Sequence, residues 1–485
     1  MSSVVTQAEA TKAPQARKSG EEKPSAEILK KILPAAGGSF IEWYEFAIYS
    51  YLSSYITHNF FADGRGGSVG TWAGFAITFA FRPLGGAFFG FLADKFGRKP
   101  AMQLTILLML VTTVLQGCLP SFSCCGEAWG WFGLVTLLVL RALQGLSAGG
   151  ELSTAAVYIS EISPRKTLGF NLSWISVSGA FGAWTVAALV VFTIESSLSK
   201  QDMLMWGWRL PYLTSIVPGI VLIFMRQYLE ETEDFEDLVK EIAAKNANNA
   251  TQDMEEGSSA ASEEAELGTV QELLANHKLA LLIGSLGTAG IGALWYVPPV
   301  YGVQFIQQSE KLPPNAVTFS EMLAYFIPTV LAMFVGMLVD SWGAGKVHTL
   351  ALVLGCIVSP APLFYWWAHV PPQQAILSVY MGQIILGFML ALTTSVYLWV
   401  VELFPVKVRV TGVSIAYNIG IGIFGGLGPV LSDLGNKEIS PKGPVSAPAA
   451  FTLFAGALSL GAVASSHLLA RRGLLRLTHI RDAPY

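Results

Sequence analysis

Charge is scarce in this chain. Asp, Glu, Lys and Arg make up 13% of 485 residues, against 52% hydrophobic, whereas about a quarter charged is usual for soluble domains. So little charge does not coat two or three water-soluble domains, although the length would allow them. It fits a chain that crosses a bilayer many times. The net charge of −4 offers no basic surface, which excludes a nucleic-acid partner. The six histidines are scattered, and the four cysteines (Cys118, Cys124, Cys125 and Cys356) have no metal-ligand spacing. No metal site and no cofactor is therefore expected, and the cysteines are left to packing or a bond near one outer loop. No G-x-x-x-x-G-K-S/T stretch occurs, which argues against a nucleotide-driven pump. No nucleophile–base cluster suggests an enzyme. A cleavable signal is also missing: residues 1–30 are polar and read as a disordered tail.

What is present is a series of apolar stretches. A hydrocarbon core about 30 Å thick needs roughly 20 helical residues. Twelve segments meet that measure, near 33–56, 70–92, 101–119, 129–155, 168–193, 208–226, 278–303, 317–339, 347–367, 374–400, 410–432 and 447–470. Between the sixth and seventh, residues 227–276 hold fourteen Asp or Glu and two Lys, which reads as a solvated, largely disordered linker. The expected organisation is an N-tail (1–32), a six-helix half (33–226), the acidic linker (227–276), a second six-helix half (277–470) and a basic C-tail (471–485).

Lys and Arg set orientation. With both termini in the cytoplasm, the inner segments hold 22 of the 30 basic residues and the outer loops five. The halves also repeat each other. "GFLADKFG" (90–97) recurs as "GMLVDSWG" (336–343), "EISPRKTLG" (161–169) as "ELFPVKVRVTG" (402–412), and "FG" at 181–182 as 424–425, at offsets of 241–246 residues. Two duplicated halves of six spans run the same way through the membrane and imply a pseudo-twofold axis along its normal, with a cavity between them.

In "GFLADKFGRKP" (90–100), Gly90 permits close helix approach, and Asp94 ends a span where its carboxylate could face the positive N-terminus of a neighbouring helix. Gly97 suits the turn, while Arg98 and Lys99 hold the loop inside. Gly336, Asp340 and Gly343 are the counterparts in the second half. This stretch resembles the loop signature of the major facilitator superfamily. "IEWYEFAIYSYL", "FRPLGGAFFG", "RALQGLSAGGE", "WGWRLPY" and "FGGLGP" together resemble the metabolite:H+ symporter family, which includes alpha-ketoglutarate, citrate and shikimate permeases and proline/betaine transporters. The chain departs from that family at Glu45, where Asp is usual, and at Glu233, where proline is usual. The resemblance implies an all-α membrane protein of twelve helices in two six-helix bundles. It also implies transport by alternating access, in the plasma membrane.

Helix arithmetic places the charges. Glu42 lies eleven residues after Lys31, and Arg82 twelve before Asp94, so both sit about 16–18 Å from the inner surface at ~1.5 Å per residue. An ionisable group at that depth costs roughly 2.5–3.5 kcal/mol unless it faces a partner or a watery cavity. Glu42 and Glu45, three residues apart on one helix face, repel each other when both are ionised, which lets a proton be held there. They are the expected proton-coupling pair, with a structural ion pair plus one water-facing glutamate as the other reading. Arg82 pairs with them or with a substrate carboxylate. Arg141 occupies the position that the superfamily resemblance links to proton transfer; locking helices together is its other reading. Glu151, ten residues further inward, is read as a gate or packing contact. Arg209, beside Trp206, Trp208 and Tyr212, either anchors the outer surface or draws in anions. Trp43, Tyr44, Trp295, Tyr296 and Tyr397 are candidates to line the cavity and stack on substrate.

The expected function is proton-coupled symport of a small carboxylate-bearing metabolite by a monomer in the lipid bilayer. The alternatives are a zwitterionic osmolyte such as proline or betaine on the same machinery, and, further off, a channel or a transporter-derived sensor. An Arg82 already partnered by Glu42 would favour the zwitterion, because an anion would lose its counter-charge.

Overall fold

A computed structural model gives the architecture and describes residues 25–180, 182–256, 270–302, 314–438, 446–473 and 475. Every element among them is helical. In the first half, α1 spans Ser25–Tyr51, α2 Gly67–Phe96, α3 Arg98–Gly117 and α4 Phe122–Ile162. Helix α5 is assembled from Leu168–Ile175, a π-turn at Ser176–Ala180, and Gly182–Ser197, and α6 spans Gly207–Gln227. Two linker helices follow, α7 (Glu233–Glu256) and α8 (Val270–Asn276). The second half comprises α9 (Lys278–Tyr296, continued by a π-turn at Val297–Tyr301), α10 (Pro314–Trp342), α11 (Ala344–His369), α12 (Ala375–Val401), α13 (Arg409–Glu438) and α14 (Ala447–Arg471).

Eleven of these helices are long and apolar enough to cross a membrane. The twelfth expected span, α1, falls short in hydropathy because Glu42, Glu45 and a run of glycines, tyrosines and Trp43 interrupt it. It is nonetheless long enough and lies inside the bundle, with almost every residue from Ile32 to Ala47 buried. Helix α1 starts at Ser25, earlier than the expected 33, so the tail is helical from that point; residues 1–24 lie outside the described residues.

The linker also differs from expectation. Thr232 opens α7 by accepting the Phe235 and Glu236 amides at its backbone carbonyl, at 3.2 and 3.1 Å. Lys240 and Lys245 pair with Glu236 (3.9 Å), Asp237 (3.3 Å) and Glu241 (2.8 Å) along the helix. Phe235 is buried under the Arg98 guanidinium at 5.0 Å. Local i,i+4 pairing and one buried ring hold a helix that net acidity alone would not foretell. Residues 257–269 lie outside the described residues. Cys124 and Cys125 are joined to each other in the first turn of α4.

Small residues set the packing of α2 on α4. A Cβ on Gly145 would run into the Thr78 carbonyl, and one on Gly149 into the Arg82 carbonyl. The backbones touch, so dispersion and short-range contacts replace the hydrophobic drive that lipid does not supply. Gly149→Leu is expected to push these helices apart, destabilising the protein by at least ~1–3 kcal/mol. Thermal unfolding in detergent would show a lowered midpoint; an unchanged midpoint would mean the helices can separate without penalty.

The halves meet through two matching latches. The Asp94 carboxylate accepts the Val410 and Thr411 amides (3.2 and 2.9 Å) at the start of α13. The Asp340 carboxylate accepts the Gly169 and Phe170 amides (2.7 and 2.8 Å) at the start of α5. Each acid thus meets the unsatisfied N–H groups and positive pole of a helix in the other half. A Cβ on Gly90 would approach Thr411 Cα to 2.6 Å, and one on Gly336 the Gly169 carbonyl to 2.7 Å. Gly97 and Gly343 take φ of 106° and 97° at the turns that follow, where a side chain would be strained. Arg98 reinforces the first latch, donating to Glu161 (3.0 and 3.1 Å) and the Val406 carbonyl (3.2 Å), while Arg409 reaches the same Glu161 at 3.1 Å. Lys99 supports the neighbouring linker: its amide donates to Glu231 and its Nζ to the Gln227 carbonyl, both at 3.1 Å. Both latches are made in this structure, fastening the two halves together at that end of the helices.

Candidate functional site

Positions 38, 42 and 45 of α1 lie on one helix face, and each meets an acid–arginine pair. Glu42 pairs with Arg82 of α2, both fully buried. Arg82 also donates from Nε to Asn418 Oδ1 of α13, at 3.0 Å. Glu45 pairs with Arg141 of α4, whose Nη1 donates to Gln144 (3.1 Å) and whose guanidinium lies over the Tyr49 ring at 4.0 Å. At the level of Gly38, Glu151 of α4 is gripped by both terminal nitrogens of Arg226 of α6 and by Thr105. Arg226 also donates to the Pro34 and Ala35 carbonyls of α1, at 3.0 and 3.1 Å, and to the Met102 carbonyl of α3. Gly38 makes room for this third pair: a Cβ there would collide with both Glu151 and Arg226.

Each acid therefore has its own arginine, and the three pairs sum to zero charge. This is how a helix with two buried glutamates avoids the desolvation penalty of isolated ions. Pairing leaves atoms over. Glu42 Oε2, Glu45 Oε2, Arg82 Nη1 and Arg141 Nη2 have no hydrogen-bond partner among the described residues. A carboxylate held by one oxygen and a guanidinium with a spare arm can exchange partners without leaving the site.

Aromatic rings from both halves surround the first pair. Trp43 meets Trp295 edge-on at 5.3 Å and stacks on Tyr296 at 6.5 Å. Phe79 meets Tyr296 at 5.4 Å. The Arg82 guanidinium lies 5.3–5.8 Å from the Phe46, Phe79 and Trp43 centroids. Trp295 is held by its indole N–H on Thr393 at 2.9 Å. Tyr397 lies beside Tyr417, rings 6.2 Å apart. Trp43, Arg82, Trp295, Tyr296 and Tyr397 are thus brought together.

Two other candidates are not. Tyr44 turns to α6, its hydroxyl bonded to Thr214 (2.6 Å) and the Pro211 carbonyl (3.2 Å). The i+1 spacing from Trp43 puts it on another face, so it packs within the first half. Arg209 donates to the Met205 and Leu119 carbonyls at 2.8 and 3.0 Å and covers the Trp208 ring at 4.4 Å. These contacts make it an anchor of the loop ends. Sequence reading missed Asn418, Tyr417, Gln144, Gly38 and Arg226. Only Arg226 carried a signal, as a basic residue closing a span; the others are ordinary small or polar residues whose meaning depends on the facing helix.

Residues 31–462 match the family described as Sugar (and other) transporter. The chain belongs to this family. It is a multi-pass integral membrane transporter of the major facilitator fold, not an enzyme. The putative proline/betaine transporter of Staphylococcus aureus (strain COL) is 30% identical over 430 residues, 86% of this chain and 85% of that one. The alpha-ketoglutarate permease of Escherichia coli (strain K12) is 28% identical over 401 residues, 81% and 84% of the two chains. The solved proton:xylose symporter XylE superposes with a TM-score of 0.70 at 15% identity, covering 94% of this chain and 98% of its own, a likeness of fold. Arg82, through Asn418, and the rings of Trp43 and Phe79, through Trp295 and Tyr296, join the two halves, while the Glu45–Arg141 and Glu151–Arg226 pairs lie within the first half.

Proposed function

We propose that the protein is a proton-coupled symporter of a small carboxylate-bearing metabolite, taken in its zwitterionic form. The observation that carries this reading is the Arg82–Glu42 pair. A free anion would find no uncompensated positive charge there. A zwitterion, itself neutral, adds no net charge to a neutral site and offers an anionic end to the spare Arg82 arm and a cationic end to the aromatic faces. The S. aureus relative, described as a putative proline/betaine transporter, supports it. The E. coli alpha-ketoglutarate permease favours the second reading, an organic anion co-transported while Glu42 is protonated and Arg82 released.

Glu42 and Glu45 exchange the proton, with Arg141 and Arg82 as the cations that hold each acid ionised when the proton leaves. Arg82 spans the seam, from Glu42 in the first half to Asn418 in the second. Protonation of Glu42 therefore weakens the first of these contacts and alters the grip on the other half. The latches at Asp94 and Asp340 must open for the site to face the side on which they lie. The protein works as a monomer in the plasma membrane with both termini in the cytoplasm; the bias of Lys and Arg toward that side supports the orientation.

The test is uptake into proteoliposomes. Labelled glycine betaine or proline should accumulate when the outside is made acidic and, because one positive charge enters with each neutral substrate, when the inside is made negative. Alpha-ketoglutarate accumulation with no response to proline or betaine would replace the zwitterion by the anion. Exchange indifferent to both gradients would remove the coupling.

A further inference from the structure

We propose that the phenol hydroxyls of Tyr397 and Tyr417 form, with the free Nη1 of Arg82, the subsite that holds the substrate's carboxylate. This rests on the symport reading above and assigns the second half a chemical role in it. Tyr397 and Tyr417 come from α12 and α13, and both are fully buried. Neither hydroxyl has a hydrogen-bond partner among the described residues, and neither do Tyr296 Oη, Trp43 Nε1 and Arg82 Nη1. The Tyr397 hydroxyl faces those of Ser176 and Tyr417, outside good hydrogen-bond geometry to both. The charges of Arg82 and Glu42 act on Tyr296, Tyr397 and Tyr417 alike, so the group is one neighbourhood.

Burying this many polar atoms unpaired is costly, and native interiors seldom do it. The unpaired set is unbalanced: hydroxyls, an indole N–H and a guanidinium arm that donate, against one spare carboxylate oxygen on Glu42. A donor-rich pocket with one acidic acceptor matches a ligand with two anionic oxygens and one cationic group.

The backbone is irregular at the same level. Helix α5 breaks into a π-turn at Ser176–Ala180, α9 into another at Val297–Tyr301, and α12 into a 3-10 turn at Thr393–Ser395. Thr394 donates to Ser176 across the seam at 3.0 Å, and Trp295 is held by Thr393. Interruptions of this kind re-aim side chains and gather at functional sites, and in transporters they mark the substrate level. Three broken helices around one cluster of unpaired donors make a built site. Asn418, next to Tyr417, is fully engaged with Arg82, Gly149 and Ser414, so it fixes the start of that turn of α13 and leaves the tyrosine free to bind.

The test compares Tyr397→Phe, Tyr417→Phe and the double variant with wild type. Binding of glycine betaine, proline and alpha-ketoglutarate is followed by the fluorescence of the site tryptophans, with choline and pyrrolidine as counterparts lacking the carboxylate. Proton-gradient-driven uptake is measured in parallel. Each lost hydroxyl should weaken carboxylate binding about tenfold or more, with no change for the carboxylate-free compounds. The thermal midpoint without ligand should shift little, because neither hydroxyl makes a well-formed hydrogen bond to the described residues. Variants that bind the carboxylates as tightly as wild type would overturn the subsite while leaving symport intact. Tight, hydroxyl-dependent binding without gradient-driven uptake would overturn symport and leave the subsite standing. A wild type that binds none of the three carboxylates would overturn both.

Discussion

Glu42→Gln and Glu45→Gln should each abolish accumulation driven by a proton gradient while leaving substrate exchange within about threefold of wild type. A gradient of one pH unit carries about 1.4 kcal/mol per proton, enough for tenfold accumulation with one proton per substrate. Glutamine copies a protonated glutamate in shape and never releases its proton. A transporter whose acid is fixed in that form can rock and exchange, but a gradient has nothing to act on, so the accumulation ratio should fall to about one. The two variants should differ in a second respect. Glu42→Gln leaves Arg82 with Asn418 and no anion, so anionic substrates such as alpha-ketoglutarate should bind it better than they bind wild type. Glu45→Gln leaves Arg141 with Gln144 over the Tyr49 ring and should not change substrate preference. Gradient-driven accumulation that survives in both variants would reduce the acids to structural ion pairs. Survival in one alone would assign coupling to the other.

The two-half architecture was legible because it is written in composition and repetition. Apolar runs of bilayer length, the matching stretches at 90–97 and 336–343, and the distribution of Lys and Arg are all linear features. The placement of Asp94 against a helix N-terminus was legible too, since an acid that ends a span has few other positive partners. Glu42 and Arg82 could be set at similar depth by counting residues. What counting could not supply is which helix faces which. Asn418 is one polar residue in a glycine-rich span until α13 is laid against α2 and α4. Tyr44 and Trp43 are neighbours in sequence and opposite in role, because a helix turns about 100° per residue. The acidic linker misled for a related reason: its net charge argued for disorder, while Phe235 and the lysine pairs that hold α7 are local details outweighed in a composition average.

The largest loss of stability is expected at the pair that sequence reading left half-made. Removing one partner of a buried ion pair strands the other charge and costs about 3–5 kcal/mol. Arg226→Met does this to Glu151, which among the described residues keeps Thr105 alone, and also frees the Pro34, Ala35 and Met102 carbonyls. Little folded protein should survive extraction, and its thermal midpoint should drop well below that of wild type. Replacing both partners, as Glu151→Leu with Arg226→Met, removes the stranded charge and should recover much of the loss, since apolar side chains of similar volume often serve a buried site as well as ions do. Gly38→Ala adds a methyl group where Arg226 and Glu151 meet α1 and should fall between, because the flexible ends of both side chains can shift. This series separates structure from transport. If Glu151 and Arg226 only fasten α4 and α6 to α1, the double variant should still accumulate substrate on a proton gradient. If it folds but no longer couples, the acid at the level of Gly38 belongs with Glu42 and Glu45 in moving the proton.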